Sequence, residues 1–355
     1  MENSHIEWCD HTFNGWEGCT KVSPGCAHCY AETRNARFGG GTAPNWGKGA
    51  PRRRTSVHNW NEPRRWNRAA AEAQNEWGGH MMLHGGHPRY PEPRNPRVFC
   101  ASLADWLDDE VPIEWLADLL ALVHECQNLD FLLLTKRPEN WRSRLDYAAT
   151  SVSEMELYRW LEDWMMGKPP ANVWIGTTVE DQTRADERIP RLLQIPARVR
   201  FLSCEPLLQH INLGLMGTVP KAIAPAAYTM TYQMIHWVIC GGESGPKARP
   251  MHVDWARSLR DQCQAAGVPY FFKQYGEWMP RSQLLQAGNM PAAIELAKRP
   301  KLPSAVMRRD GGIDESLGEA HTSNDADSAI YLVGKKAAGA LLDGREWKQF
   351  PEVSP

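Results

Sequence analysis

Short, continuously apolar runs recur along this chain, with room for a helix between most neighbours. They are Arg97–Ala101 (RVFCA), Asp130–Thr135 (DFLLLT), Asn172–Gly176 (NVWIG), Val199–Cys204 (VRFLSC), His236–Cys240 (HWVIC) and Tyr270–Lys273 (YFFK). Continuous rather than alternating hydrophobicity belongs to strands buried on both faces, as in parallel sheets. Amphipathic stretches such as Pro112–Cys126 and His252–Ala266 lie between them, and a further strand is expected near His11–Trp16. Strand–helix alternation reads as repeated βα units. The predicted fold is α/β, a partial (β/α) barrel of about six or seven parallel strands. No GxGxxG follows a strand, so a dinucleotide-binding sheet has no support.

Each run ends in polar or reactive residues: Ser102 and Asp105; Thr135, Lys136 and Arg137; Thr177, Thr178 and Glu180; Ser203, Cys204 and Glu205; Gly241, Gly242 and Glu243; Lys273 and Gln274. In parallel α/β folds the site forms at the C-terminal ends of the strands. These residues are therefore expected to converge, although any one of them also suits a helix cap or a buried polar partner.

Residues 1–278 form the predicted barrel, and 279–355 an irregular C-terminal extension with one short helix inside Val333–Phe350. GKK in that stretch lacks the other residues of a phosphate-binding loop. Residues 38–97 interrupt the βα rhythm and are read as an insertion over the barrel mouth, with a short helix at Arg64–Trp77. The basic character is local: residues 34–97 hold twelve Lys or Arg against four acids, a net +8, in a chain of net charge −2. Trp46, Trp60, Trp66 and Trp77 interleave with the arginines, and Tyr90 lies near the end of the block. Arginines neutralise phosphates and aromatic rings stack on bases, so nucleic acid is the expected partner, DNA ahead of RNA. The alternative is a solvated arginine-rich loop whose tryptophans pack on the barrel.

Nine scattered cysteines, an odd number, argue for a reducing compartment rather than a disulfide framework. No apolar stretch approaches the ~18 residues of a membrane helix. The N-terminus lacks the pattern of a signal peptide. The expectation is a cytoplasmic protein without membrane contact.

Three cysteines share one loop. Gly18–Ala31 contains Cys19, Cys26 and Cys29 in the spacing C-x6-C-x2-C, with Pro24 and Gly25 available for a turn. Three thiolates on a loop suit an iron–sulfur cluster that keeps one iron open. Cys26-x2-Cys29 is equally half of a zinc knuckle, which Cys9, His11 or His28 would complete. Three unrelated buried thiols are the remaining possibility.

GC(x6)CAHCYAE resembles the radical S-adenosylmethionine (SAM) signature CxxxCxxC, in the form found near spore photoproduct lyase. Two departures are three extra residues before Cys26, and His28 in place of the usual aromatic. CASLADW at 100–106, LLLTKRPE at 132–139 and VWIGTTVED at 173–181 are similar to segments after that branch's strands, over roughly residues 8–275. The pattern from WEGCTKVSPGCAHCYAE to GKKAAGALLDG is also similar to a radical-SAM-like family common in phages and prophages.

The resemblance implies a [4Fe–4S] cluster on Cys19, Cys26 and Cys29, with SAM chelating the open iron. Reductive cleavage of SAM then gives a radical that takes hydrogen from substrate, with the electron coming from a donor such as flavodoxin or ferredoxin. Candidate cofactor-binding residues are Ser102, Asp105, Lys136, Thr177, Thr178 and His28. Glu243, Cys204 and Cys240 are candidates on the substrate side, the thiols as hydrogen-atom donors. GGE at 241–243 is similar to a radical SAM motif but follows a later strand, so its amine-binding role is not carried over. The phage likeness points to a nucleobase of DNA, and in its sharpest form to isomerisation of a glycyl-thymine adduct. The rivals are a radical SAM enzyme acting on a peptide or metabolite, and a non-catalytic nucleic-acid-binding protein with structural zinc.

Overall fold

A computed structural model of the chain describes residues 1–84, 91–215, 235–284, 303–314 and 329–352. Its main sheet has seven strands, β1 (His11–Phe13), β4 (Arg97–Cys100), β5 (Asp130–Thr135), β6 (Val173–Thr178), β7 (Val199–Cys204), β8 (Trp237–Gly241) and β9 (Tyr270–Gln274), in that order. Neighbours in the sheet are neighbours among these strands in the chain, and no pairing joins β1 to β9 among the described residues. That is the topology of an open, singly wound β/α sheet and bears out the expected partial barrel. Two further short strands, β2 (Trp16–Glu17) and β3 (Arg53–Arg54), pair antiparallel.

The chain divides into two compact units. The first comprises Met1–Lys21, Ala31–Gly176 and Gln194–Arg198. Within it β4 pairs parallel with both β1 and β5. Phe131, Leu132 and Leu133 are fully buried, as continuous apolar strands should be. Helix α3 (Ile113–Glu125) buries Leu116, Leu119, Leu120, Leu122 and Val123, the i, i+3, i+4 stripe of a core-facing helix. It packs on α4 (Trp141–Ser151), which packs on α5 (Met155–Met165).

The region expected to be an insertion holds a helix of 28 residues, α2 (Val57–His84). It lies in the chain between β1 and β4, where a parallel pair needs a long connection. The short helix expected at Arg64–Trp77 is the interior of α2. Pro63 lies inside the helix, and a proline breaks the sequence signal at that point. Trp60 and Trp66 are buried in the core, Trp60 edge-on to Phe13 and Trp66 stacked on His11. Arg89 and Tyr90 lie outside the described residues.

The second unit comprises Val22–Tyr30, Thr177–Leu193 and Val199–Pro355. Here β8 pairs parallel with β7 and β9. α6 (Gln182–Leu193) follows β6, and α7 (Val253–Ala266) precedes β9. His252 caps α7 through Nδ1, which accepts from the Asp254 N–H, and left-handed Gly267 closes it. Part of the extension expected to be irregular forms an antiparallel sheet in the order β10 (Trp278–Pro280), β13 (Ala329–Leu332), β11 (Ser304–Met307), β12 (Ile313–Asp314). Strands of two to four residues leave too few positions for periodicity to register. Residues Trp347–Gln349 run antiparallel along β9, with Phe272 N–H donating to the Trp347 carbonyl at 2.7 Å. No helix among the described residues is long and apolar enough to cross a membrane.

Candidate cofactor site

The cysteine loop belongs to both units: Cys19 to the first, Cys26 and Cys29 to the second. None of the three forms a disulfide.

In the first unit, Gly18 adopts φ +116°, and a Cβ there would lie 2.5 Å from the Asn45 carbonyl oxygen. Only glycine passes this point without strain, and the chain enters Cys19 from it. Burial pushes the Cys19 thiol up to about 12, reinforced by the Asp105 carboxylate and opposed by Arg137. The Arg137 guanidinium donates from Nη1 to Cys19 Sγ at 3.5 Å and to Asp105 Oδ2 at 3.0 Å, and from Nη2 to the Thr20 carbonyl at 2.8 Å. Asp105 accepts also from Thr135 Oγ1 (2.7 Å), Lys136 N (2.8 Å) and Leu107 N (3.0 Å). Its two oxygens thus accept four bonds from the protein, so Asp105 orders Arg137 and the end of β5.

A second buried arginine completes this side. Arg52 donates from Nε to Asp108 Oδ2 (2.8 Å), and from Nη2 to Thr20 Oγ1 (2.9 Å) and Glu110 Oε2 (3.2 Å). Its side chain is 1 % exposed, so this member of the 34–97 basic block has a structural role. Ser102 exchanges hydrogen bonds with the Asn14 amide at 3.0 and 3.2 Å. The half-buried Lys136 ammonium makes no ion pair among the described residues.

In the second unit, the Gly25 N–H donates to Glu180 Oε1 at 3.1 Å, and Arg188 Nη1 donates to Glu180 Oε2 at 2.9 Å. Both partners of that ion pair are buried. His28 Nδ1 lies 3.0 Å from Glu243 Oε2. Arg249 donates to the same carboxylate from its backbone N (2.7 Å), Nε (2.9 Å) and Nη2 (2.5 Å), and from Nη2 to the Pro24 carbonyl (3.0 Å). Burial raises the Glu243 carboxyl, but the bonds from Arg249 and His28 outweigh it and hold the group below its ordinary range.

Glu243 therefore grips the cysteine loop through His28 and through Arg249. The two glycines before it have a steric reason. A Cβ on Gly242 would sit 1.9 Å from the Tyr275 carbonyl oxygen, and one on Gly241 would touch the Glu205 carboxylate. Glu205 is itself paired with Lys273 at 2.6 Å. An open pocket of about 310 Å³ beside Pro24 and Arg249 is lined also by Asp181, Leu208, Asp310 and Ile313.

The other expected residues are placed elsewhere. Cys204 and Cys240 lie opposite one another in register and are fully buried. Burial raises both thiols, Cys240 to about 12, and the groups acting on them include Cys263 of α7 for Cys204 and Tyr270 for Cys240. Tyr270 in turn donates to the Ala256 carbonyl of α7 at 3.0 Å. These thiols fill the strand–helix layer, as small apolar residues do. Thr177 and Thr178 are enclosed in β6. Thr178 Oγ1 has no hydrogen-bond partner among the described residues.

Arg137, Arg188 and Arg249 were not singled out by sequence reasoning. Arg137 adjoins Lys136 and was noted only as a strand-end residue. The acids that select Arg188 and Arg249 become visible only on folding. The basic block is largely neutralised by acids that lie mostly outside it: Arg34 and Arg53 pair with Glu17, Arg54 with Asp118, Arg64 with Glu125, Arg65 with Glu2 and Glu62, and Arg94 with Asp10.

Among the described residues no group of three His, Cys, Asp or Glu is gathered so as to hold a metal ion. A [4Fe–4S] cluster that keeps one iron open asks for three thiolates, and Cys19, Cys26 and Cys29, free of disulfides, would be the donors of that type.

Residues 3–351 match the family described as Protein of unknown function (DUF5131), and the chain belongs to that family. No curated protein and no solved structure matches it.

Proposed function

We propose that this member of the DUF5131 family is a radical SAM enzyme whose Cys19, Cys26 and Cys29 hold a [4Fe–4S] cluster. The observation that carries the reading is the Arg137–Cys19 contact at the head of a loop with three undisulfided thiols. A structural thiol needs no cation, whereas a thiolate ligand is stabilised by one. When bound, the cluster supplies the electron that cleaves SAM, drawn from a donor of the flavodoxin or ferredoxin class. The chain's own part is to hold the loop: Arg137 and Arg52 grip the Cys19–Thr20 segment, and Glu180, Glu243 and Arg249 grip the Pro24–His28 turn. Lys136 and Ser102 are the proposed contacts for the methionine part of SAM.

The proposed substrate is a nucleobase of DNA, and its sharpest form is a glycyl-thymine adduct undergoing isomerisation. This rests on the resemblance to phage-borne relatives and not on the arginine block. Arg37, Lys48 and Arg68 are exposed and make no ion pair among the described residues, so a phosphate contact is assigned to them.

The test is anaerobic reconstitution with iron and sulfide. A brown protein with about four irons, which releases 5′-deoxyadenosine from SAM on reduction, supports the reading. Cys19→Ala, Cys26→Ala and Cys29→Ala should each abolish both signals. A second reading has one observation in its favour: a carboxylate on His28 Nδ1 leaves Nε2 free, the arrangement of a zinc-bound histidine. A colourless protein that carries one zinc and no iron replaces the first reading with that one.

A further inference from the structure

We infer that Arg137 is a positioning residue that raises the reduction potential of the cluster through Cys19; the inference rests on the cluster reading above. Three features of the first unit carry it.

The guanidinium has a fixed place. Asp105 Oδ2 accepts from Arg137 Nη1, and the same carboxylate is pinned by Thr135, Lys136 and Leu107. Arg137 Nη2 is anchored on the Thr20 carbonyl, while its own backbone N–H donates to Thr135 Oγ1 at 2.9 Å.

The sulfur has a fixed place as well. The residue after it, Thr20, is held by Arg137 on its carbonyl and by Arg52 on its hydroxyl, and Arg52 is itself locked to Asp108. The N–H···S bond is thus set by two buried networks rather than by a mobile surface side chain.

The sulfurs are also treated unequally. Cys19 Sγ accepts a hydrogen bond from the Arg137 guanidinium at 3.5 Å, whereas Cys26 Sγ has the neutral hydroxyl of Ser23 at 3.8 Å. Reduction adds one negative charge to a cluster. A donor bearing positive charge on a ligand sulfur therefore stabilises the reduced form more than the oxidised one, and hydrogen bonds to sulfur are among the recognised determinants of cluster potential. An ion pair with Asp105 alone would explain a buried arginine. It does not require Nη1 to lie also on the sulfur.

The test is an EPR-monitored redox titration of the reconstituted protein. The Arg137→Met/Asp105→Asn double variant, read against Asp105→Asn alone, removes the donor with the carboxylate neutralised in both, and Arg137→Lys keeps the charge but loses the fork. With iron and sulfide content equal to the unsubstituted protein, the double variant should titrate at a more negative midpoint than Asp105→Asn, and Arg137→Lys at a more negative midpoint than the unsubstituted protein. Should the double variant fail to hold iron, the Arg137→Lys midpoint decides alone: a negative shift supports the inference, and an unshifted midpoint overturns it. A full cluster with unchanged midpoints in both variants overturns the role of Arg137 and leaves the cluster reading standing. An unsubstituted protein that takes up no iron overturns the cluster reading itself.

Discussion

The two ends of the cysteine loop are held by buried arginine–carboxylate networks that act on different atoms. At Cys19 the arginine touches the sulfur and the next peptide, and the supporting acids Asp105 and Asp108 are almost wholly buried. Around Cys26 the network touches the frame: the Gly25 N–H, the Pro24 carbonyl and the His28 ring. The first arrangement fixes a thiol's electrostatic surroundings, and the second fixes a loop's path. Equal anchoring thus does not imply equal chemistry, and the two ends should respond differently to substitution.

The largest expected effect lies at the first end. Asp108→Ala leaves the Arg52 guanidinium buried without its nearest carboxylate and should cost about 3–5 kcal/mol in urea unfolding. Arg249→Ala, at a partly exposed pair, should cost about 1–3 kcal/mol, from charged hydrogen bonds lost to Glu243. Equal losses at the two sites would break the comparison.

An acid titration sharpens it. The Glu243 carboxyl is held below its ordinary value of 4.5, so its contribution is complete above that pH and disappears as pH falls through the folded-state value. The Glu243→Gln protein should therefore lose less stability than the unsubstituted protein between pH 5 and the acid limit, with its loop still closed at neutral pH. A steeper acid loss in Glu243→Gln would contradict the assignment.

The thiols of β7 and β8 offer a control. Cys204→Ala should leave 5′-deoxyadenosine formation unchanged and cost roughly 1 kcal/mol of stability, as for loss of a small buried group. Loss of turnover with an intact cluster would return Cys204 to the chemistry.

The smallest effect expected is a gain. Burial raises the Asp130 carboxyl to about 6 from its ordinary 3.8, so the stability linked to it is complete below 3.8 and lost as pH rises through 6. Asp130→Asn should be more stable than the unsubstituted protein at pH 7, by on the order of 1 kcal/mol, as read from the shift in thermal midpoint.

These tests fall where the sequence was least informative. The strands were legible because Asp130–Thr135 and Val199–Cys204 are continuous apolar runs, and they are strands over those same residues. Helices α3 and α7 carry plain amphipathic stripes and end within a residue of their expected bounds. Helix α2 was legible only after Pro63, because its tryptophans and arginines form no clean stripe and a proline lies in its second turn. The cysteine loop announced itself by spacing, but its anchors did not. The bond from Arg137 to Cys19 spans 118 positions and that from His28 to Glu243 spans 215. No local pattern encodes pairings of that kind, and an arginine looks alike in sequence whether solvated or enclosed. The charge of the 34–97 block misled for the same reason, since Glu17, Asp118 and Glu125 neutralise it from outside.

The strip Trp347–Gln349 along β9 has a consequence for synthesis. The ribosome delivers β9 well before the residues that cover its open side, and the Trp237 indole N–H must also wait for its partner, the Gln349 carbonyl at 2.9 Å. Until then the nascent chain carries the bare edge of Tyr270–Gln274, a template for pairing with other chains. Stalled or prematurely ended translation after β9 should thus yield a species prone to self-association.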